Sequence, residues 1–192
     1  MEGEKEKMKI VGFIPAQLCS TRLKEKNIQL LGGKPLVQHA IDFLLKDDRI
    51  EVIYVSTDRP SKILENIKPN YRVEVIKREN SLCGNTVLTE VYRDFHYKKD
   101  FDMMVITACD SMPKLSKIQL TSVISNMLQS QVQEFFTTDK NGHKRTGLHI
   151  IKSETFERNT ITEYIRTYQY NVRDIHTRQE LEVMENFYGV QS

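Results

Sequence analysis

The sequence predicts an α/β domain built on a mostly parallel sheet with helices on both faces. Short runs such as Glu51–Ser56 (E-V-I-Y-V-S) and Phe101–Thr107 (F-D-M-M-V-I-T) are β-branched and almost continuously apolar, as strands covered on both sides must be. Between them lie segments whose apolar residues recur at helical spacing. Proline, glycine and aspartate separate the two kinds of segment, so strand and helix alternate along the chain.

Lys9–Ile14 reads as the first buried strand and runs into Pro15. The loop that follows carries Arg22, Lys24, Lys26 and Lys34 with only Glu25 against them. Pro35 opens a helix whose apolar residues Leu36, Val37, Ala40, Ile41, Leu44 and Leu45 keep helical spacing up to the charged run Lys46–Arg49. Glu51–Ser56 is then a central strand. Thr57, Asp58 and Pro60 break it and start a short helix through Lys68, with Asp58 either its cap or a ligand contact.

Tyr71–Ile76 reads as a third strand, followed by Arg78 and then Gly84–Thr86, which open a helix carrying Val87, Val91, Tyr92 and Phe95. Arg78 either reaches a phosphate or nucleobase or faces solvent. Phe101–Thr107 is the best later central strand, and Asp110 lies just past its end. Leu115–Gln131 reads as a helix, Val132–Thr138 as a strand, Asp139–Gly142 as a turn and Gly147–Ile151 as another short strand, with Ser153 opening a helix. Tyr170–Ile175 is the expected last strand, followed by an amphipathic helix.

Composition narrows the partners. Across 192 residues, 28 Lys and Arg face 26 Asp and Glu, so a net charge of +2 gives no bulk electrostatic case for nucleic acid or membrane binding. No run of about 18 apolar residues is present, as a membrane span requires. Cys19, Cys83 and Cys109 form no C-x-x-C pair, so packing thiols in a reducing cytoplasm are expected. The expected organisation is a charged tail, 1–8, followed by one domain, 9–192.

A basic loop hung on a strand end suits a polyphosphate, because open α/β sheets bind ligands beyond the carboxyl ends of their strands. Its letters are specific: I-P-A-x-x-x-S-x-R-L-x-x-K-N-x-x-x-L-x-G-K-P-L, from Ile14 to Leu36, resembles the opening signature of the acylneuraminate cytidylyltransferases, or CMP-sialic acid synthetases. It resembles the CMP-Kdo synthetases more loosely. The resemblance continues in V-S-T-D, Val55–Asp58, and in Arg78, Leu82 and Gly84–Thr86. A-C-D-S-M-P, from Ala108, is similar to the acidic turn of the CMP-Kdo synthetases.

The resemblance implies a Rossmann-like nucleotidyltransferase of the nucleotide-diphospho-sugar transferase type. It implies CTP and a keto-acid sugar as substrates, pyrophosphate release and assembly as a homodimer. Carried over residue by residue, Pro15, Ala16, Gln17, Ser20, Arg22, Lys26, Arg78 and Gly84 bind the nucleotide, and Arg22, Lys26 and Asp110 are catalytic. Asp110 is also the natural Mg²⁺ ligand at this sheet edge, unless it caps a helix near Ser116. Asp174 and His176 complete the implied metal set. Lys34 either joins the phosphates or faces water.

The chain also departs from the family. Gln17 stands where the family has Arg, and Leu18-Cys19 replaces a small pair, which would hinder close approach of backbone to phosphate. A long excursion before Gly147 is missing. His176 stands where D-I-D-T-x-x-D-L has its second Asp, and imidazole is a poor Mg²⁺ ligand. Two other readings therefore share these residues: a relative that binds nucleotide or partner without turnover, and a nucleotidyltransferase with a smaller acceptor.

Overall fold

A computed structural model of the chain describes residues 8–78, 95, 99–111, 119–138, 141, 144–157, 165–169 and 174–189. The described strands are β1 (Ile10–Pro15), β2 (Leu30–Leu31), β3 (Lys34–Pro35), β4 (Ile50–Thr57), β5 (Val73–Lys77), β6 (Met103–Thr107), β7 (Glu134–Thr138), β8 (Lys144–Lys152) and β9 (Ile165–Gln169). The described helices are α1 (Leu36–Leu44), α2 (Pro60–Leu64), α3 (Leu120–Gln129), α4 (Glu154–Glu157) and α5 (Arg178–Gly189), with a 3-10 turn at Lys26–Ile28.

Seven strands form one sheet in the order β5-β4-β1-β6-β8-β7-β9, and β2 and β3 form a separate hairpin. The pairs β5/β4, β4/β1, β1/β6 and β7/β9 are parallel, whereas β8 is antiparallel to both β6 and β7. The expected mostly parallel sheet is therefore found. β4 and β6, as expected, are interior strands paired on both sides, and β1 lies between them. Because β5, β4, β1 and β6 run the same way, Lys77, Thr57, Pro15 and Thr107 end at one edge of the sheet.

The continuous apolar character of β1 follows from burial on both faces. Ile10 and Ile14 join one core cluster with α1, α3 and the buried face of α5, while Val11 and Phe13 join the other. In the second cluster Phe95 lies 4.9 Å from the Phe13 ring and 4.8 Å from Tyr54, with Phe101 and Phe156 completing it. Fully burying each large apolar side chain contributes roughly 1.5–3 kcal/mol. Gly12 lets α1 sit close: a Cβ there would come within 2.9 Å of Leu44 Cδ1 and 3.0 Å of Ile53 Cγ1.

Two polar staples fix the first βαβ unit. The Arg72 guanidinium donates to the carbonyls of Leu45, Asp47 and Ile50, satisfying groups left open at the end of α1. Asp47, 2% exposed, accepts from Arg49 Nη2 at 2.6 Å and Nε at 2.8 Å. Arg49 also donates to Ser125 Oγ and the Thr121 carbonyl, which ties this turn to α3.

Several expectations need correction. The helix after Pro60 ends at Leu64 and not near Lys68, and Tyr71 is 95% exposed, outside a strand that begins at Val73. Within the proposed strand Tyr170–Ile175, Asp174 and Ile175 have no ladder partner; the edge strand is β9, which pairs with β7. Cys19 is disulfide-bonded, so the expectation of free packing thiols holds for Cys109, which is free and buried. Residues 1–7 of the charged tail, Gly84 and most of its helix, residues 112–118 of the next helix, most of the Asp139–Gly142 turn and Tyr170–Arg173 lie outside the described residues.

Gly12→Ala should lower stability by about 1–3 kcal/mol through overpacking against Leu44 and Ile53, read as a lower urea midpoint at unchanged slope. The Arg49 guanidinium holds the Asp47 carboxyl below the usual carboxylate range. Its stabilisation is therefore present above the unfolded value of about 3.9 and lost as pH falls through the lower folded value. Asp47→Asn should cost about 1.5–3 kcal/mol at neutral pH and flatten the acid limb of a stability-against-pH curve.

Candidate active site

The loop leaving β1 is anchored before it becomes basic. Ala16 N–H donates to the Ser56 carbonyl at 2.8 Å, continuing the β1/β4 pairing. Leu18 then turns its side chain into the core, 1% exposed, and its N–H donates to Asp58 Oδ1 at 2.7 Å. Arg59 Nη2 donates to the Leu18 carbonyl at 3.1 Å. Asp58 is thus not the helix cap; its carboxylate holds the loop. Because Leu18 points inward, it does not obstruct the crevice as its size had suggested.

Asn27, 7% exposed, ties the far side of the loop through Nδ2 to the Gln17 carbonyl at 2.7 Å. Glu25 enters the 3-10 turn in a left-handed conformation, φ 51° and ψ 37°, which costs on the order of 1–2 kcal/mol for a residue with a Cβ. Arg59 Nη1 at 2.9 Å and Lys62 Nζ at 2.6 Å hold its carboxylate. Lys62 and Arg59 keep that carboxyl below its ordinary range. The single acidic residue of the loop is therefore paired with Arg59 and Lys62, outside the loop, and not with the loop's own cations. Gly32 and Gly33, with φ of 57° and 71°, close the β2/β3 hairpin as a two-residue turn.

Lys26 reaches across this edge. Its Nζ lies 2.5 Å from Asp110 Oδ2, with both side chains 15% exposed. Such a half-buried pair has a gross attraction on the order of 4 kcal/mol before desolvation is subtracted. The exposed Lys9–Asp100 pair, at 3.4 Å, belongs to the class that contributes about 0–1 kcal/mol. Lys26 Nζ is also 3.5 Å from His176 Nδ1.

The acidic turn and the 174–177 segment are bound together. The Asp110 carbonyl accepts from Ile175 N–H at 2.9 Å, and the Ser111 hydroxyl donates to Asp174 Oδ1 at 3.2 Å. His176 stands between the two carboxylates, Nδ1 being 3.7 Å from Asp110 Oδ2 and Nε2 3.8 Å from Asp174 Oδ2. Its backbone is fixed by Glu180, whose Oε2 accepts from the His176 and Thr177 N–H groups at 2.8 Å each. The Thr177 hydroxyl in turn accepts from Glu180 N–H at 3.2 Å, forming a reciprocal cap at the start of α5.

The structure therefore brings Lys26, Asp110, Asp174 and His176 into one cluster at the edge where Pro15 and Ala16 end β1. Arg78 lies on the same edge: its N–H donates to the Thr57 carbonyl at 2.8 Å and its Nε to Ser56 Oγ at 3.2 Å. Arg22 is exposed and Ser20 partly so; neither side chain makes a hydrogen bond or ion pair among the described residues. Lys34 is not at the site, since it pairs with Asp42 of α1 at 2.5 Å. Gly84 lies outside the described residues. The loop anchors Asn27, Asp58 and Arg59 and the Ser111 link were missed from sequence. Only the Thr177-x-x-Glu180 cap left a readable signal.

Among the described residues no group of three or more His, Cys, Asp or Glu side chains is gathered to hold an ion. Nor is any described helix long and apolar enough to cross a membrane.

Comparison with known proteins places this geometry. A family profile described as cytidylyltransferase matches residues 11–188. A 3-deoxy-manno-octulosonate cytidylyltransferase 2 of Hydrogenovibrio crunogenus is 40% identical over 120 residues, covering 62% of this chain and 46% of that protein. A CMP-N,N'-diacetyllegionaminic acid synthase of Legionella pneumophila is 43% identical over 68 residues, 35% of this chain and 28% of that protein. The match thus spans less than half the length of either relative. A solved CMP:2-keto-3-deoxy-manno-octonic acid synthetase complexed with CTP superposes with a TM-score of 0.71 at 15% identity, over 96% of this chain and 100% of that one, which shows a shared fold.

Asp58→Ala should leave the Leu18 N–H unpaired, lowering stability by about 1–3 kcal/mol and raising amide exchange at Leu18. Asp58→Asn keeps an accepting oxygen and should recover most of both. Equal losses in the two variants would show that charge, and not the hydrogen bond, holds the loop.

Proposed function

The chain belongs to the cytidylyltransferase family, and we propose that it transfers CMP from CTP to a hydroxyl of a keto-acid sugar with release of pyrophosphate. The observation that carries this reading is the meeting of Lys26 and Asp110 at the carboxyl edge of the parallel strands, 2.5 Å apart, beside Asp174 and His176. Relatives that act on keto-acid sugars supply the acceptor class.

Chemically, a triphosphate of about four negative charges must be held while the sugar hydroxyl attacks the α-phosphorus in line and pyrophosphate departs. Lys26 is placed to exchange its carboxylate partner for a phosphate oxygen. Arg22, exposed in the same loop, meets the distal phosphates, and Arg78 on the edge of β5 faces the nucleoside end. Ala16 and Gln17 lie against the nucleotide where β1 ends, Ser20 on the ribose or phosphates. Asp110, released by Lys26, then accepts charge or a proton from the acceptor side. No covalent enzyme intermediate is required.

Magnesium, implied by the resemblance, does not fit these donors as a site built by the protein. Asp110 is engaged by an ammonium, Asp174 by the Ser111 hydroxyl, and a ring nitrogen of His176 faces each carboxylate. Mg²⁺ requires oxygen ligands in near-octahedral order.

A second reading, transfer to a smaller acceptor, is favoured by the antiparallel pairing of β7 with β8, two strands separated by only a short stretch where the resemblance calls for a long excursion. Pyrophosphate release measured with CTP, UTP, ATP and GTP against keto-acid sugars and smaller hydroxy acids decides between the two. CTP with a keto-acid sugar should be the productive pair. Lys26→Ala and Asp110→Asn should each lower turnover by about 10²–10³-fold with the fold intact by circular dichroism. CTP binding without turnover on any acceptor would instead mark a nucleotide-binding relative.

A further inference from the structure

We infer that His176 makes this crevice one whose fixed positive charge is the Lys26 ammonium and not a divalent ion held by Asp110. The inference deepens the nucleotide reading of the same site and rests on it for what that charge meets. Its own evidence is geometric. The imidazole lies 3.7 Å from Asp110 and 3.8 Å from Asp174, one ring nitrogen toward each, and 3.5 Å from the ammonium that already sits 2.5 Å from Asp110. The two carboxylates that could share an ion are thus separated by nitrogen.

Donor chemistry points the same way. Mg²⁺ gives up its water reluctantly and takes oxygen ligands, whereas imidazole suits softer transition metals. Asp174 offers one oxygen to the Ser111 hydroxyl at 3.2 Å and turns the other toward His176. A carboxylate at position 176 would change that arrangement without rebuilding the segment. The backbone there is held by Glu180, by the Thr177 cap and by the Ile175 N–H bond to Asp110, none of which uses the imidazole. His176 is therefore a positioning residue that leaves Asp110 to Lys26 while no nucleotide is bound, and its side chain can be replaced with the backbone in place.

The test uses Mn²⁺, followed by electron paramagnetic resonance, on the whole chain without nucleotide. The wild type should show no stoichiometric site into the millimolar range. His176→Asp should gain one ion with an affinity higher by on the order of tenfold or more, and adding Asp110→Asn should remove it. One tightly bound ion in the wild type, abolished by Asp110→Asn, would overturn the inference, as would a folded His176→Asp that gains nothing. If His176→Asp does not fold, His176→Glu also puts a carboxylate in place of the imidazole: one gained ion supports the inference, and a folded His176→Glu that gains none overturns it. CTP binding by calorimetry in EDTA reports the nucleotide reading separately. Its absence would sink that reading and leave the Mn²⁺ comparison to decide this one.

Discussion

A single contact between residues 84 positions apart, the Lys26 ammonium on the Asp110 carboxylate, depends on the whole first half of the fold and in turn defines the crevice. It forms because β1 lies between β4 and β6, all parallel, so that the loops leaving β1 and β6 emerge side by side. Each end is held by something other than the pair itself. Lys26 sits in a 3-10 turn closed by Ile28 N–H on the Glu25 carbonyl, and Asp110 accepts Ile175 N–H through its backbone. The half-buried setting matters as much as the distance, since the same charges in full solvent would attract only weakly.

Around that contact, the loop divides its residues between packing and charge. Leu18 and Asn27 are buried, Asn27 tying the loop to its own start at Gln17, while Asp58 and Arg59 act from the turn between β4 and α2 and Lys62 from α2. Glu25 adopts a left-handed backbone that the chain tolerates because two cations hold its carboxylate. Strain accumulated at one residue and compensated by neighbours is a common feature of ligand loops. The consequence here is electrostatic: the acidic member is neutralised by Arg59 and Lys62, which leaves Lys26 to pair with Asp110.

The reversed strand β8 governs the other side of the crevice. Antiparallel to β6, it sets Leu148 opposite Thr107, and the Thr107 hydroxyl donates to the Gly147 carbonyl at 2.9 Å. Gly147 and Leu148 of β8 thereby lie beside the end of β6, next to the acidic turn. Further out, β9 returns to parallel pairing with β7 and closes the sheet beyond the site.

By itself the sequence determined the sheet and the cation loop. Buried strands announce themselves in continuous apolar runs such as Ile10–Ile14 and Met103–Thr107, α1 in its periodic apolar stripe, and the reciprocal cap of α5 in Thr177 and Glu180, because these signals are local. Lys26 and Asp110 were also readable as candidates, through strand-end position and resemblance. Tertiary structure alone decided which charges pair: that Lys34 serves Asp42, that Asp58 holds Leu18 and caps nothing, that His176 separates Asp110 from Asp174. Asp174 and Ile175, expected at the end of a strand, stand outside the sheet for the same reason, since an extended segment becomes a strand only if a neighbour offers a ladder, and β7 pairs with Ile165–Gln169. Pairing is a property of where distant segments meet, and no periodicity within either segment records it.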